Sequence, residues 1–125
     1  MVAFKLKDSG FRTTYKSGAQ REKPPGKGRF DLLSAFALTR LAQIYEKGAR
    51  KYDDRNWEKG LPISDCMDSA LRHICQFMAG LKDEDHLAQA CWNLMAALHM
   101  EELIKRGVVP KELNDMPNYK SKPKG

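Results

Sequence analysis

Three stretches of this chain repeat their apolar residues at the spacing of an α-helix, and no other sequence feature constrains the fold as strongly. They span about residues 31–50, 64–80 and 83–106. Apolar side chains recur there every three or four residues, which places them on one face of a helix. Runs that alternate apolar and polar residues, as strands do, are absent. The sequence therefore predicts an all-α fold, with Ser64 and Asp83 as the expected N-caps of the second and third helices.

Periodicity and composition divide the chain into three parts. Residues 1–30 are predicted to be an irregular basic N-terminal arm, residues 31–110 the helical domain, and residues 111–125 a short helix or turn with a polar tail. About 80 structured residues with three wide apolar faces make a thin core. Because a second copy of the chain could cover the remaining apolar face, a homo-oligomer, dimer or tetramer, is expected.

The formal net charge of +6 belongs to the ends of the chain. Residues 1–30 carry eight Lys and Arg against two acids, whereas residues 31–110 carry ten against twelve. A basic arm with Tyr52 and Trp57 as a stacking platform is the pattern of a single-stranded nucleic-acid-binding accessory protein without catalysis, which is the alternative function. Because the second and third helices carry acids where such a surface should be basic, nucleic acid is not the expected partner.

Cysteines and apolar runs indicate the compartment. Cys66, Cys75 and Cys91 have neither CxxC nor zinc-finger spacing, so they are predicted to be buried, reduced thiols. No run approaches the roughly 18 apolar residues of a membrane helix, and the first residues do not resemble a signal peptide. The expectation is a cytoplasmic protein without a membrane partner.

Acidic residues mark two of the helices as candidate cation sites. The third helix opens with Asp83-Glu84-Asp85-His86, and three acids beside a histidine could bind a hard cation through oxygen ligands. Acids at a helix N-terminus also stabilise the helix dipole without binding anything. Glu46 on the first helix is either a further ligand or an ordinary surface glutamate.

Asp68, Arg72 and His73 lie beside the apolar stripe of the second helix. Asp68 and Arg72 are four residues apart, which allows an ordinary ion pair. Alternatively, Arg72 could hold a phosphate by forked hydrogen bonds while His73 carries or donates a proton.

The loop after the first helix combines cations, flat rings and an amide. Lys51 and Arg55 offer positive charge for phosphates, and Tyr52 and Trp57 offer flat faces for a base. Asn56 can both donate and accept hydrogen bonds, as reading a base edge requires. The structural alternative is that Trp57 closes the end of the bundle and Asn56 caps a turn.

The N-terminal arm offers further cations, Arg21, Lys27 and Arg29, which either contact phosphates or keep the arm soluble. Gly26 and Gly28 do not form a P-loop, because the preceding strand and the GKS/T ending are missing. Carboxylates for a cation, cations for phosphates and aromatics for a base are together the inventory of a nucleotide phosphohydrolase.

Several motifs, in order along the chain, resemble the phage-associated dATP/dGTP diphosphohydrolases. They are SGAQR at 17–21, GKGRFDLL at 26–33, YEKGARKY at 45–52, RNWEKGLP at 55–62, DSALRH at 68–73 and EDHLAQACWN at 84–93. The resemblance spans about residues 17–116.

The resemblance implies a MazG-like helical bundle, completed by oligomerisation, with sites between helices of neighbouring subunits. It implies hydrolysis of dGTP and/or dATP to the monophosphate and pyrophosphate, by attack of water at the α-phosphorus. The implied cofactor is a divalent metal ion, Mg²⁺ first, with Mn²⁺ or Co²⁺ as alternatives. A phage-encoded protein of this kind would act in the host cytoplasm. The EExxE and ExxD strings of the broader MazG-like pattern do not occur here.

Three sets of residues follow from this interpretation. The expected metal ligands are Glu46, Asp68, Glu84 and Asp85. The residues expected to act in catalysis are Glu46, Asp68, His73, Asp85 and His86. Those expected to contact the substrate are Arg21, Lys27, Arg29, Asp31, Lys51, Tyr52, Arg55, Asn56, Trp57, Arg72 and Asn93.

The sequence supports two other functions less well than nucleotide hydrolysis. A triphosphohydrolase of the HD type needs an adjacent His-Asp pair, and this chain has only the reverse order, Asp85-His86. A purely structural helical oligomer would leave the Arg-Asn-Trp segment at 55–57 without a purpose.

Overall fold

The computed structural model describes residues 10–120, which fall into two compact units. The first unit ends at Leu33 and the second begins at Ser34. The first nine residues of the predicted arm and the last five of the predicted tail lie outside the described residues.

The first unit contains a β-hairpin where the sequence predicted an irregular arm. Strand β1, Arg12–Thr14, pairs antiparallel with strand β2, Gln20–Glu22. The turn between them closes with a hydrogen bond from the Gly18 N–H to the Tyr15 carbonyl at 2.9 Å, and Gly18 has a φ of +90° that favours glycine. The expectation of no strand was wrong here because both strands are polar and largely exposed, so they lack the alternating apolar pattern.

The second unit is built from three helices, which confirms the predicted all-α class. Helix α1 covers Ala35–Lys51, α2 covers Ile63–Met78 and α3 covers His86–Lys105. Helix α1 begins after Ser34, whose hydroxyl oxygen accepts a hydrogen bond from the backbone N–H of Ala37 at 3.1 Å.

The two predicted N-caps, Ser64 and Asp83, were wrong, because other side chains accept the hydrogen bonds from the first turns of α2 and α3. Ser64 lies inside α2, and the carboxylate of Asp115 accepts hydrogen bonds from both its backbone N–H, at 2.9 Å, and its hydroxyl. Those bonds lower the pKa of Asp115. Helix α3 is capped by Asp85, which accepts from the N–H of Ala88, while Asp83 bonds to His86 instead.

The core lies between α2 and α3, which run antiparallel. Ile63 and Cys66 near the start of α2 pack with Ala97 and Met100 near the end of α3. Met100 is completely buried. The C-terminal segment adds a short 3-10 turn at Lys111–Leu113, where a short helix or turn was expected.

The apolar face of α3 is covered only in part. Apolar residues of α3 extend beyond its buried side, because Leu87, Cys91, Leu94 and Leu98 are exposed in the single chain. These four residues are spaced by four, three and four positions, so they form one continuous stripe. The sequence placed them on a buried stripe, and the described part of this chain does not bury them.

The three cysteines are free, as expected, but their burial differs. Cys66 is buried, and burial raises the pKa of its thiol. Cys75 and Cys91 are exposed, so the prediction that all three are buried was wrong for the single chain. None of the described helices combines the length and the apolar character that crossing a bilayer requires.

Candidate functional site

His73, Glu84 and His86 form a cluster of potential metal ligands at the junction of α2 and α3. Each residue offers one ligand atom, and the three atoms all lie within 4.8 Å of one another. Across residues 10–120 no other three His, Cys, Asp or Glu residues meet in this way. The antiparallel packing of α2 on α3 brings the cluster together, since His73 lies near the end of one helix and His86 begins the next.

The two histidines of this cluster face each other through the same type of ring nitrogen. The Nδ1 atoms of His73 and His86 are 3.0 Å apart, and the ring centroids are 5.3 Å apart. His86 is only 2% exposed, and its Nε2 lies 2.8 Å from a carboxylate oxygen of Asp83. Because an ionised carboxylate can only accept hydrogen bonds, Nε2 of His86 carries the proton. The contact with Asp83 also orients the ring so that Nδ1 faces His73.

Two aspartates hold the surroundings of the cluster in place. The hydrogen bond to His86 lowers the pKa of Asp83. Asp85 accepts hydrogen bonds from Nε and Nη2 of Arg40 at 2.8 and 2.5 Å, and this contact lowers the pKa of Asp85. Since Arg40 belongs to α1 and Asp85 caps α3, the ion pair ties these two helices together.

Of the four acids predicted to bind metal, only Glu84 belongs to the cluster. Asp68 forms an ion pair with Arg72, and Glu46 accepts from Arg50 at 3.3 Å. With Asp85 bonded to Arg40, each of the other three acids has an arginine partner within the chain. Four carboxylates in one place would have fitted Mg²⁺, which prefers oxygen ligands. The described residues offer two imidazoles and one carboxylate instead, and the metal roles of Glu46, Asp68 and Asp85 stay predictions.

A cleft of about 930 Å³ lies between the second half of α1, the following loop and α3. Five predicted substrate residues line it together: Lys51, Tyr52, Arg55, Asn56 and Trp57. Trp57 also packs against the core, so the structural role considered for it is observed as well. The cleft therefore offers positive charge, flat rings and an amide in one place.

Aromatic rings that the sequence reading did not assign to the site build the wall of this cleft. The Tyr45 ring centroid is 5.7 Å from that of Trp57 and 5.9 Å from that of Trp92. His99 lies 4.8 Å from Trp57, also measured between centroids. The sequence does indicate this wall: Gln89, Trp92 and His99 are spaced by three and seven residues, which places them near one face of α3.

Glu58 places a partly buried carboxylate inside the cleft. Its Oε1 accepts a hydrogen bond from Nη1 of Arg55 at 2.7 Å and lies 3.6 Å from Nε2 of His99. Burial raises the pKa of Tyr45, and the negative charge of Glu58 raises it further. Arg55 has a φ of +57°, and no other non-glycine residue in the described range has a positive φ. Strain of this kind is typical of functional loops.

The remaining predicted substrate residues are two of the second unit and four of the first. Arg72 pairs with Asp68, and Asn93 is buried with its Nδ2 donating to the Gln89 carbonyl at 2.9 Å. Four belong to the first unit: Arg21, Lys27, Arg29 and Asp31. There Arg29 donates to both carboxylate oxygens of Asp31, at 2.9 and 2.8 Å, and this bond lowers the pKa of Asp31. Their contacts with substrate stay predictions.

One comparison with known proteins gives a match. A family model described as dATP/dGTP diphosphohydrolase, N-terminal, matches residues 17–107, well over half of the chain. The matched segment contains the His73, Glu84 and His86 cluster and the loop that borders the cleft. No curated protein and no solved structure matches the chain.

Proposed function

Because the chain belongs to the dATP/dGTP diphosphohydrolase N-terminal family, a family of hydrolases, we propose that it cleaves purine deoxynucleoside triphosphates. Water attacks the α-phosphorus, the bond from that phosphorus to the α–β bridging oxygen breaks, and pyrophosphate leaves from the monophosphate. One observation carries the proposal: cations, stacking rings and amides gather in one cleft, and Gln89 of that cleft lies three residues after His86 of the ligand cluster on α3.

The nucleoside is proposed to bind among the aromatic rings of the cleft. The Tyr52 side chain is 58% exposed, so its ring is accessible to a base, and Trp57 and Trp92 extend the apolar wall. A purine presents a larger flat face than a pyrimidine and gains more from such stacking. The amides of Asn56 and Gln89 also line the cleft and can each donate and accept, which suits the edge of a purine.

The phosphates are proposed to extend from the cleft toward the ligand cluster. Lys51 and Arg55 border the cleft and would offset the charge of the leaving pyrophosphate. Gln89 lines the cleft and follows His86 by three residues, which is about 4.5 Å along a helix. A divalent ion held by His73, Glu84 and His86 would supply neutralisation of phosphate charge and polarisation of the reacting phosphoryl group.

The chain is further proposed to work as a homo-oligomer that pairs through α3. The exposed stripe of Leu87, Cys91, Leu94 and Leu98 repeats at the four–three spacing of helix–helix seams. A continuous exposed apolar stripe of this kind is typical of a surface that a partner covers. A second copy presents the same stripe, so the contact would be self-complementary.

Product analysis tests the proposed reaction. The purified chain is incubated with a divalent metal ion and each dNTP in ¹⁸O-labelled water, and the products are separated and weighed by mass spectrometry. We expect dGMP or dAMP carrying the label, together with unlabelled pyrophosphate. Release of triphosphate would instead indicate the HD type of reaction. Salt-sensitive retention of single-stranded DNA without turnover would favour the accessory protein.

A pair of tyrosine variants tests where the base binds. Stacking of one base on an aromatic ring contributes about 1–3 kcal/mol, so Tyr52→Ala should raise KM by about 5- to 150-fold. Tyr119→Ala is the matched control, because Tyr119 is 91% exposed and does not line the cleft. Equal KM values for the two variants would show that the base does not stack on Tyr52.

Light scattering during size-exclusion chromatography tests the oligomer. Leu98 is 65% exposed, so Leu98→Lys should leave the fold of one chain intact. We expect the parent protein to elute as a dimer or tetramer and Leu98→Lys to shift toward the monomer. A monomeric parent protein at the concentrations used for activity would contradict the proposed pairing.

A further inference from the structure

The donor atoms of the ligand cluster indicate which ion it binds. We infer that His73, Glu84 and His86 bind a nitrogen-preferring divalent transition-metal ion, of the Co²⁺, Ni²⁺ or Zn²⁺ kind, in preference to Mg²⁺. The family resemblance implied Mg²⁺ held by acids, so this cluster differs from that expectation in both its residues and its ion. The inference concerns metal binding alone and does not depend on the hydrolysis proposed above.

The separation of the two imidazoles fits a shared ion. Imidazole nitrogens bind such ions at about 2.0–2.1 Å, so two of them on one ion lie about 3.0 Å apart at an octahedral angle and about 3.4 Å apart at a tetrahedral angle. The Nδ1 atoms of His73 and His86 are 3.0 Å apart. The Glu84 carboxylate brings an oxygen within 4.8 Å of one ring nitrogen of each histidine, which is close enough for a small rotamer change to complete the site.

The hydrogen bond to Asp83 orients His86 for metal binding. Asp83 occupies Nε2, which leaves Nδ1 facing the cluster as the nitrogen that can bind an ion. A histidine ligand commonly donates its other N–H to a carboxylate in this way, and the contact fixes the tautomer and the ring orientation. Without an ion, the two facing Nδ1 atoms need a proton between them. With an ion, both lone pairs have the same partner.

The cluster is buried on the side of its two histidines and open to solvent on the side of Glu84. His86 is 2% exposed and His73 is half-buried, so the helix packing fixes both rings. Glu84 is exposed, which gives an ion a route from solvent. Three protein ligands leave positions for water or phosphate oxygens, as in catalytic rather than purely structural metal sites.

Ligand chemistry then decides between the candidate ions. Mg²⁺ prefers oxygen ligands and gives up its water reluctantly, so two imidazoles bind it poorly. Imidazole suits Zn²⁺, Ni²⁺ and Co²⁺, and affinity for such sites rises from Mn²⁺ through Co²⁺ and Ni²⁺ to Cu²⁺ before it falls at Zn²⁺. Two nitrogens and one carboxylate oxygen therefore discriminate against Mg²⁺ more strongly than any set of acids in this chain would.

Cobalt titration of the full, chelator-treated chain tests the inference without any nucleotide. Binding of Co²⁺ is followed by its visible absorption and by calorimetry, and Zn²⁺ or Mg²⁺ is then added as a competitor. We expect one Co²⁺ per chain, displacement by Zn²⁺ and no displacement by a large excess of Mg²⁺. Displacement by Mg²⁺ at comparable concentration, or no Co²⁺ binding, would overturn the inference.

Three variants assign the binding to the cluster. His73→Ala removes a ligand and should weaken Co²⁺ binding more than tenfold. Asp83 is exposed, so Asp83→Ala removes its hydrogen bond to the buried His86 without opening the core. This variant should weaken Co²⁺ binding about 10- to 100-fold. His99→Ala, which removes the histidine of the cleft, is the control and should bind Co²⁺ like the parent protein.

Parental affinity in His73→Ala, or an equal loss in His99→Ala, would refute the assignment. A protein that binds Co²⁺ through His73 but leaves every dNTP intact would support the metal inference and contradict the proposed function. Hydrolysis that survives the loss of Co²⁺ binding in His73→Ala would support the metal inference and the proposed reaction, and would contradict only the role proposed for this ion in that reaction.

Discussion

Replacing Met100 tests whether the core between α2 and α3 supports the cleft. Met100 is completely buried and packs with Ile63 and Cys66. Its sulfur also accepts a hydrogen bond from the backbone N–H of Leu61, with 3.4 Å between the nitrogen and the sulfur. Leu61 lines the cleft, so one side chain links the core to the site.

The expected loss of stability follows from the atoms that are removed. Met100→Ala deletes three heavy atoms from a buried position, and at about 0.8 kcal/mol for each methylene-sized group the transfer cost is about 2.4 kcal/mol. The cavity left behind adds about 1 kcal/mol or more, which gives a total of about 3–4 kcal/mol. This loss is a large share of the roughly 5–15 kcal/mol by which such domains resist unfolding. Since each kcal/mol lost lowers the midpoint temperature by about 3–8 °C, that temperature should fall by about 10–30 °C.

Urea unfolding followed by tryptophan fluorescence measures this loss, because Trp57 and Trp92 pack against the same core. Protein concentration is held constant, since an oligomer makes apparent stability depend on it. Met100→Leu is the control: it keeps the volume and should cost less than about 1.5 kcal/mol. A loss below about 1 kcal/mol in Met100→Ala would refute the packing argument.

The other predictions concern the cap of α2 and the strained loop. The bonds to Ser64 lower the pKa of Asp115 in the folded protein. At pH values above the unfolded pKa of about 3.8, these bonds therefore stabilise the fold. The stabilisation is lost as the pH falls through the lower pKa of the folded state. Parent protein and Asp115→Asn should therefore differ in free energy of unfolding at pH 7 and converge below pH 3.8, and a constant difference would contradict this. Arg55→Asn places a residue that tolerates positive φ at +57° and should change stability by less than about 0.5 kcal/mol, while the lost charge raises KM. Unchanged KM, or a stability loss above about 2 kcal/mol, would contradict that interpretation.

The helices could be predicted from the sequence because their signals are local. Apolar spacing over residues 31–50 predicted α1, observed as Ala35–Lys51, without reference to the rest of the chain. The start of α2 was predicted within one residue, but its capping group was not, because the carboxylate belongs to Asp115, 51 residues after Ser64. The β-hairpin was missed for a related reason: backbone pairing holds it, and its exposed side chains follow no apolar pattern.

The site was predictable where its residues are neighbours in sequence. Lys51, Tyr52 and Arg55 line one cleft because they belong to one loop. The ligand cluster depends on the packing of two helices, and the sequence reading named its histidines as catalytic residues but looked for ligands among the acids. Arginines four residues away pair with Glu46 and Asp68, a spacing that is visible in the sequence.

Helix α3 contributes residues both to the packing of the core and to the proposed chemistry. Its buried side supplies Met100 to the core, its first residue supplies His86 to the ligand cluster, and Trp92 and His99 form part of the cleft wall. These positions are fixed relative to one another by helical geometry, since every residue advances the helix by about 1.5 Å. The distance between the cleft and the ligand cluster is therefore set by a rigid element, while the contacts to the base come from a loop. Substitutions in that loop should change nucleotide affinity without changing metal affinity.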